Sequence, residues 1–142
     1  MGNTYYSFPS YETLSKLSLE DLSVIRAGFR DKYILNAAKM FASEELSEKE
    51  LRALSAQDAK NALMQVKGIG NKVSDCILLF GLSHTEAFPI DVWIKRITEY
   101  CWFESEQSVK TIGDFAKKKF GALGGYAQQY LFFYARENKI GV

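Results

Sequence analysis

The chain has 142 residues, 47% of them apolar and 14% aromatic, which supplies a packed core and excludes a disordered or low-complexity class. Eighteen Lys and Arg against seventeen Asp and Glu leave a net charge of +1, without the basic excess that marks many nucleic-acid binders. Two cysteines, Cys76 and Cys101, are too few for a disulfide framework, a four-cysteine zinc site or a four-cysteine iron-sulfur cluster.

The opening Met1-Gly2-Asn3-Thr4-Tyr5 lacks the basic region and apolar stretch of a signal peptide, and no apolar run approaches the roughly 18 residues of a membrane span. A soluble, intracellular protein with no membrane partner is expected, in the cytoplasm or nucleoid if bacterial. Hydroxyl residues punctuate the chain. Ser10, Ser18, Ser47 and Ser55 each precede a helix-forming stretch; Ser47 with Glu50 fits a reciprocal capping box, and Asp21 and Asp58 play a looser version of that part. Helices are predicted at about 10–16, 18–26, 30–43, 47–54, 55–66, 71–82, 91–102, 108–120 and 124–138, with the usual uncertainty at their ends. Nothing alternates for long as a strand does, and Pro9 and Pro89 fall outside the helices, as residues without an amide proton should. The expected fold class is all-α, a single domain over residues 1–142. Acidic residues cluster early (Glu44, Glu45, Glu48, Glu50) and basic ones late (Lys95, Arg96, Lys117 to Lys119), a pattern that solvated helix faces explain.

The informative stretch joins two helices through Val66-Lys67-Gly68-Ile69-Gly70-Asn71-Lys72-Val73-Ser74-Asp75-Cys76, a hairpin over about 55–82 by the same helix pattern. Gly68 and Gly70 can take positive φ and admit a phosphate, while the following helix offers unpaired amides and the positive end of its dipole. Lys72 lies in the first turn of that helix, where the dipole favours the neutral, nucleophilic amine. On position alone other readings stay open: glycine ends many helices merely by turning left-handed, and Asp75, three residues on, can simply pair with Lys72. Downstream, in Phe88-Pro89-Ile90-Asp91-Val92-Trp93, Asp91 stands as an N-cap, and amide hydrogen bonds there favour its carboxylate. Such a carboxylate can stabilise positive charge on a reacting sugar, or it can be a cap and nothing more.

Gly68-Ile69-Gly70-Asn71-Lys72-Val73-Ser74-Asp75-Cys76, followed nineteen residues after Lys72 by Asp91 in Pro89-Ile90-Asp91-Val92, resembles the signature of the helix-hairpin-helix DNA glycosylase superfamily. Tyr6-Ser7-Phe8-Pro9-Ser10, Gly28-Phe29-Arg30-Asp31-Lys32-Tyr33 and Tyr126-Ala127-Gln128 resemble its 8-oxoguanine glycosylase/lyase branch, and the resemblance covers nearly the whole chain. It implies a base-excision repair enzyme on duplex DNA containing a damaged base, with Lys72 as Schiff-base nucleophile and Asp91 as catalytic carboxylate. It also implies a base pocket of Cys76, Gln128 and Phe132, and backbone contacts from Gly68, Gly70, Asn71 and Trp93. Spacing agrees in part: Cys76 is four residues from Lys72 and Phe132 four from Gln128, so each pair shares a helical face, although Phe132 serves equally as a core residue. No cofactor is required; the resemblance allows a monovalent cation on the main-chain carbonyls of Met64, Val66 and Ile69.

Three departures stand against the family pattern: Lys67 replaces a proline common before the first glycine, Trp93 replaces a phosphate-contacting histidine, and the sequence begins near Tyr6, where the family pattern leads one to expect a sheet domain and leading helices ahead. The only histidine, His84, is expected to be an exposed bystander. A missing N-terminal portion or second chain is therefore an expected partner. The alternatives are a non-catalytic helix-hairpin-helix DNA-binding module, or a glycosylase for other damaged bases.

Overall fold

Helices begin where the hydroxyl residues stand. In the computed structural model, which describes residues 3–141, Ser10, Ser18, Ser47, Ser55 and Ser108 each accept an amide hydrogen bond from the residue three positions on. They open α1 (Tyr11–Leu14), α2 (Leu19–Leu22), α4 (Glu48–Ala53), α5 (Ala56–Leu63) and α8 (Val109–Phe120). Each such cap contributes about 1 kcal/mol to a helix that would otherwise fray. The remaining α-helices are α3 (Asp31–Ala42), α6 (Asn71–Cys76), α7 (Val92–Trp102) and α9 (Gly124–Glu137); no strand occurs among the described residues. Met1, Gly2 and Val142, within the domain expected over 1–142, lie outside the described residues.

Three expectations are corrected. The reciprocal capping box forms at Ser18, where the Asp21 Oδ2 accepts from both the amide (2.8 Å) and the hydroxyl (2.7 Å). At Ser47 only the forward bond from the Glu50 amide forms, because the Glu50 side chain does not fold back. The helix expected without a break to residue 82 changes at Ile77 into a π-helical turn, Ile77–Gly81, closed by the Leu82 amide on the Ile77 carbonyl at 3.0 Å. Such turns are frequent at functional sites. His84 is not exposed. Its side chain is only 13% accessible, since its own amide is drawn onto the Leu78 carbonyl (2.9 Å), folding the loop back over the π turn.

Apolar periodicity builds two cores. Leu51, Ala59, Leu63, Val66, Leu78 and Leu82 form the first, between α4, α5 and the π turn; Ile94, Ile97, Ile112, Ala116 and Ala135 form the second, among α7, α8 and α9. The segment 83–91 crosses from one to the other, with Ala87 in the first and Phe88 in the second. Residues 5–29 bury Leu22 but join neither core, and Tyr5, Tyr6, Phe8, Val24 and Phe29 all stand exposed, Tyr6 at 91%.

Candidate active site

The hairpin is built by close packing. After α5 the Val66 amide bonds the Leu63 carbonyl and the Ile69 amide bonds the Val66 carbonyl, both at 3.0 Å. Gly68 sits at φ +96°, and a Cβ there would lie 2.5 Å from the Tyr33 ring, so both backbone and packing require glycine. Gly70 corrects the sequence reading. Its φ is −104°, an extended conformation open to any residue, and nothing lies within 4 Å of where its Cβ would be. No contact among the described residues explains glycine at this position, and the face in front of it is open.

Asn71 and Lys72 begin α6, both exposed, and the Asn71 carbonyl accepts the Ser74 hydroxyl at 2.8 Å. Asp75 does not pair with Lys72. Its two oxygens lie 2.7 and 2.9 Å from the Nζ of Lys60 on α5, in a pair with 16% and 21% side-chain exposure. Burial pushes the Asp75 carboxyl up from its ordinary range, and Lys60 pulls against that shift. Geometry decides the choice of partner: Lys60 closes the hairpin from the opposite helix, and Lys72 makes no ion pair among the described residues. Cys76, a free thiol, ends α6 half-buried, one turn beyond Lys72.

Asp91 caps α7, its Oδ1 accepting the Ile94 amide at 2.9 Å. The loop that delivers it is held from α9. Gln128 is 5% exposed, and its Nε2 donates to the Pro89 carbonyl at 3.0 Å, while its Oε1 accepts from the Gln129 Nε2 at 2.6 Å. The start of α9 is pressed onto the same loop, with the Gly125 amide on the Thr85 carbonyl at 2.7 Å; a Cβ on Gly125 would collide with Leu79. Phe132 packs half-buried against the second core, with the Arg136 guanidinium 5.4 Å from its ring centre. Trp93 packs there too, and Arg96 lies 5.6 Å from its ring centre. Arg96 is a residue the sequence reading did not assign; its spacing of three from Trp93 on one helix was the available signal.

Lys72 and Asp91 therefore occupy the first turns of helices that belong to different cores, and no hydrogen bond or ion pair joins them among the described residues. Two hollows among the described residues bear on this. One of about 410 Å³ lies between residues 8–14 and α3 and is lined by Phe8, Tyr11, Leu14, Ile34, Ala37 and Phe41. The other, of about 280 Å³, is lined by Leu79, Phe80, Ser83, Thr85, Tyr126 and Gln129. Neither includes Lys72, Asp91, Cys76, Gln128 or Phe132.

The Met64 and Ile69 carbonyls accept no turn or loop hydrogen bond from the described backbone, and that of Val66 accepts one. Neutral oxygens with spare lone pairs at a helix end suit a monovalent cation better than a transition metal. No group of three His, Cys, Asp or Glu side chains is placed to hold a metal among the described residues, and no helix there is long and apolar enough to cross a membrane.

No family model matches the chain. It is 33% identical to a probable N-glycosylase/DNA lyase of Methanothermobacter thermautotrophicus, over 96% of this chain and 50% of that one. Among solved structures, the Clostridium acetobutylicum 8-oxoguanine glycosylase/lyase, bound to duplex DNA with cytosine opposite 8-oxoguanine, superposes with a TM-score of 0.92 at 38% identity, covering 98% of this chain and 48% of that chain. MBOgg1, in complex with a low-affinity DNA ligand, does so with a TM-score of 0.93 at 42% identity, covering 97% and 48%. The chain spans about half the length of these relatives.

Proposed function

The chain belongs to the helix-hairpin-helix DNA glycosylase superfamily, on its 8-oxoguanine glycosylase/lyase side, and from that premise we propose that it removes 8-oxoguanine from duplex DNA and cleaves the resulting site. The target nucleotide is extruded from the stack, because an enzyme cannot reach its sugar inside the duplex. The Lys72 amine attacks the anomeric carbon, the bond to the base breaks with its electron pair leaving on the base, and Asp91 stabilises the positive charge that develops on the sugar. The amine then loses a proton and the sugar ring opens to an imine. That imine acidifies the adjacent carbon; loss of its proton expels the 3′ phosphate, leaving a lyase product still attached to Lys72 until water releases it.

One observation carries this reading: Asp75, the acid best placed in sequence to neutralise Lys72, is taken by Lys60, which leaves the exposed Lys72 amine without an ionic partner at the mouth of the hairpin. The open face at Gly70, the exposed Asn71 and the Arg96–Trp93 stack supply the backbone contacts, and a cation held by the Met64, Val66 and Ile69 carbonyls would draw in the same phosphate. Cys76 and Phe132, both half-buried, line the base pocket, while Gln128, its amide committed to Pro89 and Gln129, supports the loop that bears Asp91. The exposed aromatic residues and the hollow before α3 give the complementary half, on the same or a second polypeptide, a surface on which to pack.

Borohydride reduction of the imine tests the reading on duplexes carrying 8-oxoguanine, an alkylated purine, thymine glycol or an abasic site. Covalent trapping on the abasic duplex, with 8-oxoguanine preferred among the lesions, is the expected result. Trapping led by an alkylated purine or thymine glycol identifies a glycosylase for other bases. Binding with no trapping on any duplex leaves a non-catalytic DNA-binding module.

A further inference from the structure

Pro89 offers a carbonyl and no amide proton, so the group that meets it must donate. That fixes the Gln128 amide without ambiguity: Nε2 faces Pro89 at 3.0 Å and Oε1 faces away, where Gln129 donates to it at 2.6 Å. Gln128 is nearly inaccessible, so its oxygen depends on that donor in place of water. Reversing the amide would set two acceptors against each other at Pro89 and two donors against each other at Gln129. The pair thus forms a polar relay from the rim of the smaller hollow, which Gln129 lines, to the loop two residues ahead of Asp91.

We propose that Gln129 is a positioning residue: by setting the orientation of the Gln128 amide it holds the Pro89 carbonyl, and through it the cap geometry of Asp91. The inference rests on the assignment of Asp91 above. Gln129 touches no reacting atom. Its effect falls on the departure of the base, where Asp91 acts, and not on attack by Lys72 at an abasic site, where no base remains to leave.

The test compares Gln129→Glu, Gln129→Met and Gln129→Lys in the full chain. A carboxylate at 129 demands a donor from Gln128 and turns the amide over; methionine removes the donor at similar size; lysine keeps a donor of similar reach. Base excision from 8-oxoguanine duplex is expected to slow by roughly tenfold in Gln129→Glu, less in Gln129→Met, and to recover in Gln129→Lys, as for one misaligned buried hydrogen bond near a catalytic group. Abasic-site trapping is expected to stay within about twofold throughout, since Lys72 shares no hydrogen bond with Gln128, Gln129 or Asp91 and residues without shared partners act independently. Independently of activity, the Gln128 side-chain amide protons should exchange slowly in the parent and in Gln129→Lys, and fast in Gln129→Glu, by NMR. Excision at the parental rate in Gln129→Glu, or unchanged exchange at Gln128, overturns the relay. If the parent traps no abasic duplex, the lyase reading falls instead, and exchange at Gln128 still decides the orientation.

Discussion

The helix that carries Lys72 and the helix that begins at Asp91 are both positioned at their first turns, but by opposite means. Around Lys72 the chain spends its polar contacts elsewhere: Asp75 goes to Lys60, and the hairpin itself is locked by packing at Gly68. Around Asp91 the polar contacts converge, with the carboxylate accepting the Ile94 amide and the Pro89 carbonyl, two residues earlier, accepting Gln128. The difference matches the two tasks proposed for these residues. A nucleophile must keep its lone pair free and move toward carbon, whereas an acid that stabilises charge is most effective when its geometry costs no reorganisation.

Removing the amine should have the largest effect. Lys72→Gln is expected to reduce borohydride trapping by more than about a thousandfold, to background, with duplex binding nearly retained in a gel-shift titration, because Gln keeps a polar side chain only one bond shorter but not the nucleophile. Asp91→Asn separates charge from cap: asparagine caps as well as aspartate, so melting should be nearly unchanged, while excision of the base falls on the order of a hundredfold and abasic trapping survives. A loss of both activities in Asp91→Asn would break the comparison, making Asp91 a support for Lys72 and not a partner in departure of the base. Gly68→Ala tests the packing side. With φ at +96° and the Tyr33 ring 2.5 Å from the new Cβ, a destabilisation of roughly 2 kcal/mol in denaturant melts is expected.

The smallest effect concerns pH. Burial raises the Asp75 carboxyl above its ordinary value of 3.8, so the folded chain binds that proton more tightly than the unfolded chain does. The stability this contributes is complete below the unfolded-state value and is lost as pH rises through the elevated folded-state one. Melts between pH 4 and neutrality should therefore show the parent losing stability relative to Asp75→Asn as pH rises. An opposite slope would mean that Lys60 outweighs burial.

Much of this was legible in local sequence. The serine caps and the Asp91 cap each involve residues within four positions, and such contacts are written in spacing, whereas the packing that demands glycine at 68 comes from Tyr33, 35 residues away. What escaped is long-range: Lys60 with Asp75 spans 15 residues, Gln128 with Pro89 spans 39, and Gly125 meets Thr85 across 40. No periodicity encodes those meetings, because each depends on how one helix packs against another or against the 83–91 loop. His84 was misread for the same reason, its burial depending on a loop folded back onto Leu78. The π turn has a similar source: the helical period runs unbroken through Ile77–Gly81, and one bond between residues five apart changes the register.

The hairpin carries a second exposed lysine, Lys67, five residues before Lys72 and on the other side of the paired glycines. Reducing the complex with an abasic duplex, digesting it and sequencing the modified peptide by mass spectrometry reads directly which amine formed the imine. A sugar remnant confined to Lys72 is the expected result; a remnant on Lys67, or one spread across the surface lysines, would contradict the assignment of the nucleophile.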